Sequence, residues 1–276
     1  MLDCVLGGGW PLGRISNVIG DKSTGKTLQA IEAIANFRRV FPGGLVRYFE
    51  AEAAFDNEYA AALGVELEDG ELIGGDTVET LFDDLTATLN GLGEDQPALY
   101  IVDSLDAISD KAEMERKITD ATYGGTKPKQ LGQLFRRLTR EIERKSLHLQ
   151  IISQVRDNIG VTFGNKHTRT GGRALDFYAS QILWLAHKGQ IKKVVKGVTR
   201  AVGVEIKAKT SKNKVGLPFR ECEYNILFGY GIDDEAASRD FMKTTGGGPI
   251  DRESVVQRWY EIESQFLPKR GKYVKE

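Results

Sequence analysis

Residues 15–37 read ISNVIGDKSTGKTLQAIEAIANF, and the octet GDKSTGKT inside them, Gly20 to Thr27, decides the fold. Apolar, β-branched residues run straight into Gly20, and a helical pattern runs straight out from Lys26, so the octet joins a strand to a helix. Its spacing, a glycine, four residues and then Gly-Lys-Thr, is that of a phosphate-binding loop. Gly20 and Gly25 let the backbone take conformations closed to other residues, so that successive N–H groups can face an anion. Lys26 is placed for the outer phosphates of a nucleotide, and the Thr27 hydroxyl for Mg²⁺. The start of the helix adds its own attraction for negative charge. The candidate nucleotide-binding set is Gly20, Asp21, Lys22, Ser23, Thr24, Gly25, Lys26 and Thr27, with Leu28 behind them.

Working outward, short β-branched runs at Ile15–Ile19, Leu45–Phe49, Ala98–Val102 and His148–Ser153 read as buried strands. Helical patterns lie between them at Lys26–Val40, Thr77–Gly91 and Gln130–Lys145. That alternation predicts an α/β fold, a mostly parallel twisted sheet flanked by helices, of the phosphate-loop NTPase type. After Arg173 the pattern changes. Gln181–Ala186, Val202–Lys209 and Glu221–Phe228 read as strands with shorter connections, expected to extend the same sheet antiparallel. Two helices, Glu235–Lys243 and Arg252–Phe266, follow around the breaker TTGGGP. The expected organisation is an ATPase core over residues 1–232 and a small helical segment with a basic tail over 233–276.

A nucleotide site of this kind needs an acid for the ion. ALYIVDS supplies Asp103 at a strand's carboxyl end, the end where open parallel sheets bind ligands. Hydrolysis needs a group to orient or deprotonate water. LVRYFEAE offers Glu50 and Glu52, and strand periodicity alone does not choose between them.

Composition excludes other classes. Two cysteines, Cys4 and Cys222, far apart, and three histidines leave little material for a zinc site. No run of apolar residues reaches membrane-spanning length, and MLDCVLGGGWPLGR carries no basic leader, so a soluble, cytoplasmic protein is expected. The net charge of −1 conceals segregation: Glu50–Asp95 holds fourteen acids and no Lys or Arg, and Lys188–Lys214 holds nine Lys or Arg against Glu205 alone. A charge run by itself is ordinarily a solvated face. Beside a nucleotide site, a basic block can also meet nucleic-acid phosphates.

Four further segments, YFEAEAAFDNEYAAALGV, LYIVDSLDAISDKAEME, IISQVRDNIGVTFGNKHTRTGGRALDFYAS and SKNKVGLPF with NILFGYGID, occur in this order. Together they resemble the bacterial RecA recombinases from about Leu6 to Ile232. GVTFGN followed by TGGRALDFYAS carries more family specificity than the phosphate loop, which many ATPases share. The resemblance implies that Glu52, rather than Glu50, is the glutamate that activates water. It implies that Asp103 and Thr27 serve the metal, and that Asp56, Tyr59 and Phe228 contact the nucleotide. Gln154 matches a glutamine that senses the terminal phosphate and relays it to a DNA-binding loop, and its amide both donates and accepts. Lys212 and Lys214 match lysines that reach a neighbouring subunit's ATP and stabilise charge on the transferring phosphoryl group.

The relayed loop is Asn158 to Gly172. It is glycine-rich, with Val161 and Phe163 as apolar wedges and Lys166, Arg169, Thr170, Gly171, Gly172 and Arg173 as the DNA-gripping set. A second DNA loop is expected over Glu113–Gly125, where Arg116, Lys117 and Tyr123 depart from the bacterial pattern. Two departures bear on assembly. About ten residues precede WPLGR, so the family's N-terminal helix and strand are expected to be missing or replaced, and the end PKRGKYVKE is basic. The expected activity is an ATP- and Mg²⁺-dependent, single-stranded-DNA-stimulated ATPase that pairs homologous single and double strands as a homo-oligomer, filament or ring. The alternatives are an accessory or regulatory ATPase without strand exchange, and a hexameric helicase-type motor.

Overall fold

A computed structural model of the chain describes residues 1–53, 55–115, 126–157, 167–168 and 172–268. Helix α1 (Leu2–Leu6) leads to strand β1 (Ile15–Gly20), helix α2 (Lys26–Val40), β2 (Leu45–Glu50), α3 (Asn57–Ala62) and β3 (Leu72–Gly74). Then come α4 (Val78–Gly91), β4 (Ala98–Asp103), α5 (Lys111–Glu115), α6 (Thr126–Arg144) and β5 (Leu147–Gln154). A two-residue ladder of β6 (Arg156–Asp157) with β7 (His167–Thr168) and helix α7 (Gly172–Tyr178) follow. The chain continues through β8 (Gln181–Val195), β9 (Val198–Asn213), β10 (Glu221–Leu227), β11 (Gly231–Ile232), α8 (Asp234–Thr244) and α9 (Arg252–Phe266).

Among the described residues, nine strands form one sheet in the order β11-β10-β9-β8-β1-β5-β4-β2-β3. From β8 to β3 every neighbouring pair is parallel, and β9, β10 and β11 add on antiparallel. The expected α/β architecture with an antiparallel extension is therefore observed. β1 is central, which is why its residues are buried on both faces.

Side-chain alternation divides the core between the two faces. Ile15, Ile19, Phe49, Tyr100 and Val102 pack on one side with Leu81, Leu85 and Leu89 of α4 and Leu131, Leu134, Phe135 and Leu138 of α6. The opposite side joins Val46, Tyr48, Leu99 and Ile101 to Ala30, Ile31, Ile34 and Phe37 of α2. Each such aliphatic or aromatic side chain contributes about 1.5–3 kcal/mol on burial. A third cluster covers the antiparallel extension, where Val5 and Leu6 of α1 and Ala237 of α8 meet Val204, Ile206, Tyr224 and Ile226. The last helix is tied back by Arg220, whose guanidinium donates to Glu263. Among the described residues no helix is long and apolar enough to cross a membrane.

Among the elements that differ from the sequence reading, four do so for a plain physical reason. Helix α6 begins four residues before Gln130, because Pro128 in the first helical turn has no N–H that the helix needs. Helix α1 has only five residues, too few to show a period. Strands β8 and β9 outrun Gln181–Ala186 and Val202–Lys209 to form one long hairpin, so much of the basic block is a two-stranded ribbon. Both faces of that ribbon are exposed from Lys192 to Arg200, which erases the two-residue alternation that marks a half-buried strand. Its turn, Lys196-Gly197, has φ of 49° and 80°, the left-handed pair that a tight hairpin requires.

Candidate active site

The carboxyl ends of four parallel strands meet around the phosphate loop. Gly20 ends β1 opposite Gln154 of β5, and Glu50 ends β2 opposite Asp103 of β4. The loop between β1 and α2 needs its glycines. A Cβ on Gly20 would lie 2.3 Å from Thr24 Oγ1, and one on Gly25, whose φ is +80°, would lie 2.3 Å from Ile226 Cδ1. The turn is closed by two bonds to the Asp21 carbonyl, from Thr24 Oγ1 and from Lys26 Nζ, both 2.8 Å. Ser23 also takes a left-handed conformation, with φ of 57°. Helix α2 then starts with no side-chain cap at Gly25 and no acid in its first turn. Its first N–H groups are thus left for an external acceptor, which is the setting for a phosphate.

Around Lys26 the charges are acidic. Burial lowers the Lys26 pKa, and Asp103, Glu52, Asp21 and Asp106 oppose that shift. Asp103 is 8% exposed, and its Oδ2 accepts from Thr27 Oγ1 at 2.8 Å and from Tyr48 Oη at 2.7 Å. Burial raises the Asp103 pKa, while those two hydrogen bonds hold it down. Glu52 lies just beyond β2, where its Oε1 accepts from Gln154 Nε2 at 2.8 Å and from the Ser104 hydroxyl. Glu50 instead accepts the backbone N–H of Glu52 at 3.0 Å. The strand ends at Glu50, so the two carboxylates part company, and Glu52 is the one joined to Gln154.

Among the described residues no group of three or more His, Cys, Asp or Glu forms a metal cage. A hard ion bound beside Thr27 and Asp103 would take its other ligands from water and the oxygens of a phosphate, which is how Mg²⁺ is ordinarily held. The donor set fits such an ion, since a hydroxyl and a buried carboxylate already sit in hydrogen-bond contact beside the phosphate loop.

The remaining expected residues fall in three places. Asp56 caps α3, its Oδ1 accepting from Tyr59 N at 3.0 Å, and the partly buried Tyr59 packs against both the cluster of the antiparallel extension and the core under α2. Phe228 is 60% exposed just past β10. Lys212 and Lys214 lie at the other end of the sheet: Gln181 pairs with Asn213 and with Ser16 at the start of β1, whereas Gly20 pairs with Leu185. Lys212 Nζ donates to the Asp176 and Phe177 carbonyls that end α7, at 2.5 and 3.0 Å. Within one chain, then, these lysines sit away from Lys26. Gly172 and Arg173 open α7. Arg116, Lys117, Tyr123, Val161, Phe163, Lys166, Arg169, Thr170 and Gly171 lie outside the described residues, as does the basic end beyond Pro268.

Sequence reasoning missed Tyr48, Ser104 and Asp106. A phenol in the middle of a buried strand requires a hydrogen-bond partner, and Tyr48 precedes Glu50 by two, so that signal was present. Ser104 and Asp106 follow the strand in a turn whose path no periodicity reveals.

Known proteins resemble this chain over most of its length. The family model described as RecA N-terminal domain matches residues 1–233. Protein RecA of Synechococcus sp. (strain WH7803) is 36% identical over 269 residues, covering 96% of this chain and 66% of that protein. Protein RecA of Trichodesmium erythraeum (strain IMS101) is 34% identical over 277 residues, 99% of this chain and 72% of that protein. Protein RecA of Arthrospira platensis is 36% identical over 269 residues, 96% of this chain and 69% of that protein. The chain spans about two thirds of the length of the curated relatives it matches.

Proposed function

This chain belongs to the RecA family, and we propose that it is an ATP-dependent DNA recombinase, a single-strand-stimulated ATPase that pairs homologous strands. One observation carries the reading: Glu52 and Gln154 are hydrogen-bonded to each other beside Lys26 and Asp103, and Gln154 stands four residues before the segment read as a DNA loop.

Lys26 and the loop from Gly20 to Thr27 hold the phosphates of ATP, with Leu28 behind them and Asp56, Tyr59 and Phe228 toward the base. Thr27 and Asp103 would hold Mg²⁺, which when bound would neutralise charge on the phosphate oxygens. Glu52 orients the attacking water and takes its proton. Gln154 exchanges its bond to Glu52 for one to the terminal phosphate, and the exchange is relayed to DNA binding by Val161, Phe163, Lys166, Arg169 and Thr170. Single-stranded DNA is gripped by that segment and by the one that carries Arg116, Lys117 and Tyr123. Because Lys212 and Lys214 stand at the far end of the sheet, they complete the site of a second copy rather than their own. Hydrolysis then depends on assembly along the strand.

The test is steady-state ATPase with and without single-stranded DNA, with Glu52→Gln as the inactive control, alongside electron microscopy of the same samples. A rise in turnover with DNA, and helical filaments, are expected. Turnover indifferent to DNA would assign the chain to accessory ATPases, and rings that unwind duplex would make it a motor.

A further inference from the structure

Strands β4 and β5 pair in register as far as Val102 and Ile151, and one more backbone bond follows, Leu105 N–H to Ile152 O at 3.0 Å. In a parallel ladder the residue that donates this bond offers its own carbonyl to the N–H two places further along the partner strand. Here that rung would join Leu105 O to Gln154 N–H. It is not made. Lys127 Nζ donates to Leu105 O at 2.9 Å and also to Ile108 O. Gln154 N–H donates instead to Asp106 Oδ2 at 2.7 Å. A backbone rung has been replaced by two side-chain bonds at the residue whose own amide holds Glu52.

The turn that carries Asp106 reaches several parts of the site. Ser104, two residues before it, donates to Glu52, and Ala107 N–H closes the turn on Ser104 O at 3.1 Å. The Asp106 charge acts on Lys26 in the phosphate loop. Lys127 follows one segment read as a DNA loop by two residues, and Gln154 precedes the other by four. A backbone rung would hold Gln154 as firmly as any strand residue. A side-chain carboxylate can turn, and this one stands within electrostatic reach of Lys26.

We propose that Asp106 is the positioning residue for Gln154: its carboxylate replaces the missing rung and sets how strongly the terminal phosphate is coupled to DNA affinity. The inference rests on the proposed function for its consequence, but not for its geometry, and the two are read separately.

The geometric readout is amide hydrogen exchange at Gln154. In Asp106→Ala its N–H loses its acceptor, and exchange is expected to quicken about tenfold or more. In Asp106→Asn the side-chain oxygen still accepts, and exchange is expected to stay within about threefold of the parent. The functional readout is the ratio of single-stranded-DNA Kd values without and with a non-hydrolysable ATP analogue. That ratio is expected to fall about fivefold or more in Asp106→Ala and to be largely restored in Asp106→Asn. Melting temperatures of both variants separate this from a general loss of stability.

Unchanged Gln154 exchange in Asp106→Ala overturns the proposal, and so does faster exchange with the coupling ratio intact. A parent protein whose DNA affinity ignores nucleotide refutes the proposed function instead, and the exchange result still decides whether Asp106 holds Gln154. Should Asp106→Ala fail to fold, Asp106→Ser keeps a polar group in the turn but falls short of the reach by which the carboxylate meets Gln154 N–H. Gln154 exchange is then expected to quicken about tenfold, and exchange within about threefold of the parent overturns the proposal.

Discussion

The side-chain amide of Gln154 donates to Oε1 of Glu52 across 2.8 Å, and the Ser104 hydroxyl donates to the same oxygen. The group read as the base for water and the group read as the phosphate sensor thus hold each other. For Glu52 to act on water, part of this clamp must open, and a phosphate that draws the Gln154 amide away would open it. Gln154→Ala removes the amide that both partners would share. ATP affinity is expected within about threefold of the parent, because the phosphate loop is untouched, while DNA-stimulated turnover falls about tenfold or more. Nucleotide binding and ATPase measured on the same preparation check this, and full DNA stimulation in the variant would refute it.

Tyr48 bears on the metal. Its phenol is fully buried, and its hydroxyl and that of Thr27 both donate to Asp103 Oδ2. Were Thr27 to turn to an ion, Tyr48 would be the donor left holding the carboxylate in place. Tyr48→Phe keeps the ring and its packing against Phe55, 4.7 Å between centroids, but loses the bond. The Mg²⁺ concentration for half-maximal nucleotide binding is expected to rise severalfold, with a stability loss of about 1–2 kcal/mol. Titration of Mg²⁺ against a fluorescent nucleotide reads the first effect, and an unmoved midpoint would remove Tyr48 from the site.

Gly25 joins the phosphate loop to α2 at a φ of +80°, and its missing Cβ is what lets Ile226 approach. Gly25→Ala brings both a left-handed alanine and a clash with a core side chain of β10. The expected cost is about 1–3 kcal/mol of stability, together with nucleotide affinity lowered about a hundredfold as the loop's N–H groups shift. Urea unfolding and equilibrium nucleotide binding test the two parts. A variant that binds ATP normally would show that this glycine is not needed for the cradle.

Much of this was legible in the sequence, and the particular residues show why. The phosphate loop, Asp103 and the core strands were readable because strand and helix periods change sharply at Gly20, Lys26 and Asp103, so each residue's place follows from the pattern. Glu50 and Glu52 were not separable by periodicity, since the choice depends on where β2 stops, and β2 stops at Glu50. The resemblance chose Glu52, whose carboxylate is the one bonded to Gln154. Asp106 and Lys127 were illegible because their roles come from a rung the backbone fails to make. The far ends of β8 and β9 were hidden for another reason, that a ribbon wet on both faces leaves no alternation to read.

The interior also carries a pH sensor of stability, in His148 of β5. Its ring is buried, with Nδ1 2.8 Å from the Pro11 carbonyl and Trp10 at 5.8 Å between centroids. A carbonyl only accepts, so Nδ1 carries the proton, and Nε2 has no partner among the described residues. Burial pushes the His148 pKa down from 6.5 to about 4, against the opposing pull of the Pro11 bond. The unfolded chain therefore takes up this proton below 6.5, while the folded chain does not until about 4. The stability that a neutral His148 contributes is full above 6.5 and is lost as pH falls from 6.5 to 4. At pH 5 that loss is about 2 kcal/mol. Asp103, Glu32 and Asp234, whose pKa values burial raises, act with the opposite sign. They are present in parent and variant alike, so a difference between the two isolates the histidine. His148→Phe keeps an aromatic ring beside Trp10 and forfeits the Pro11 bond, at a pH-independent cost of about 1 kcal/mol. Urea unfolding at pH 7.5 and pH 5 is expected to show the parent losing about 2 kcal/mol more than the variant between those points, and parallel losses would mean that His148 is protonated in the native state.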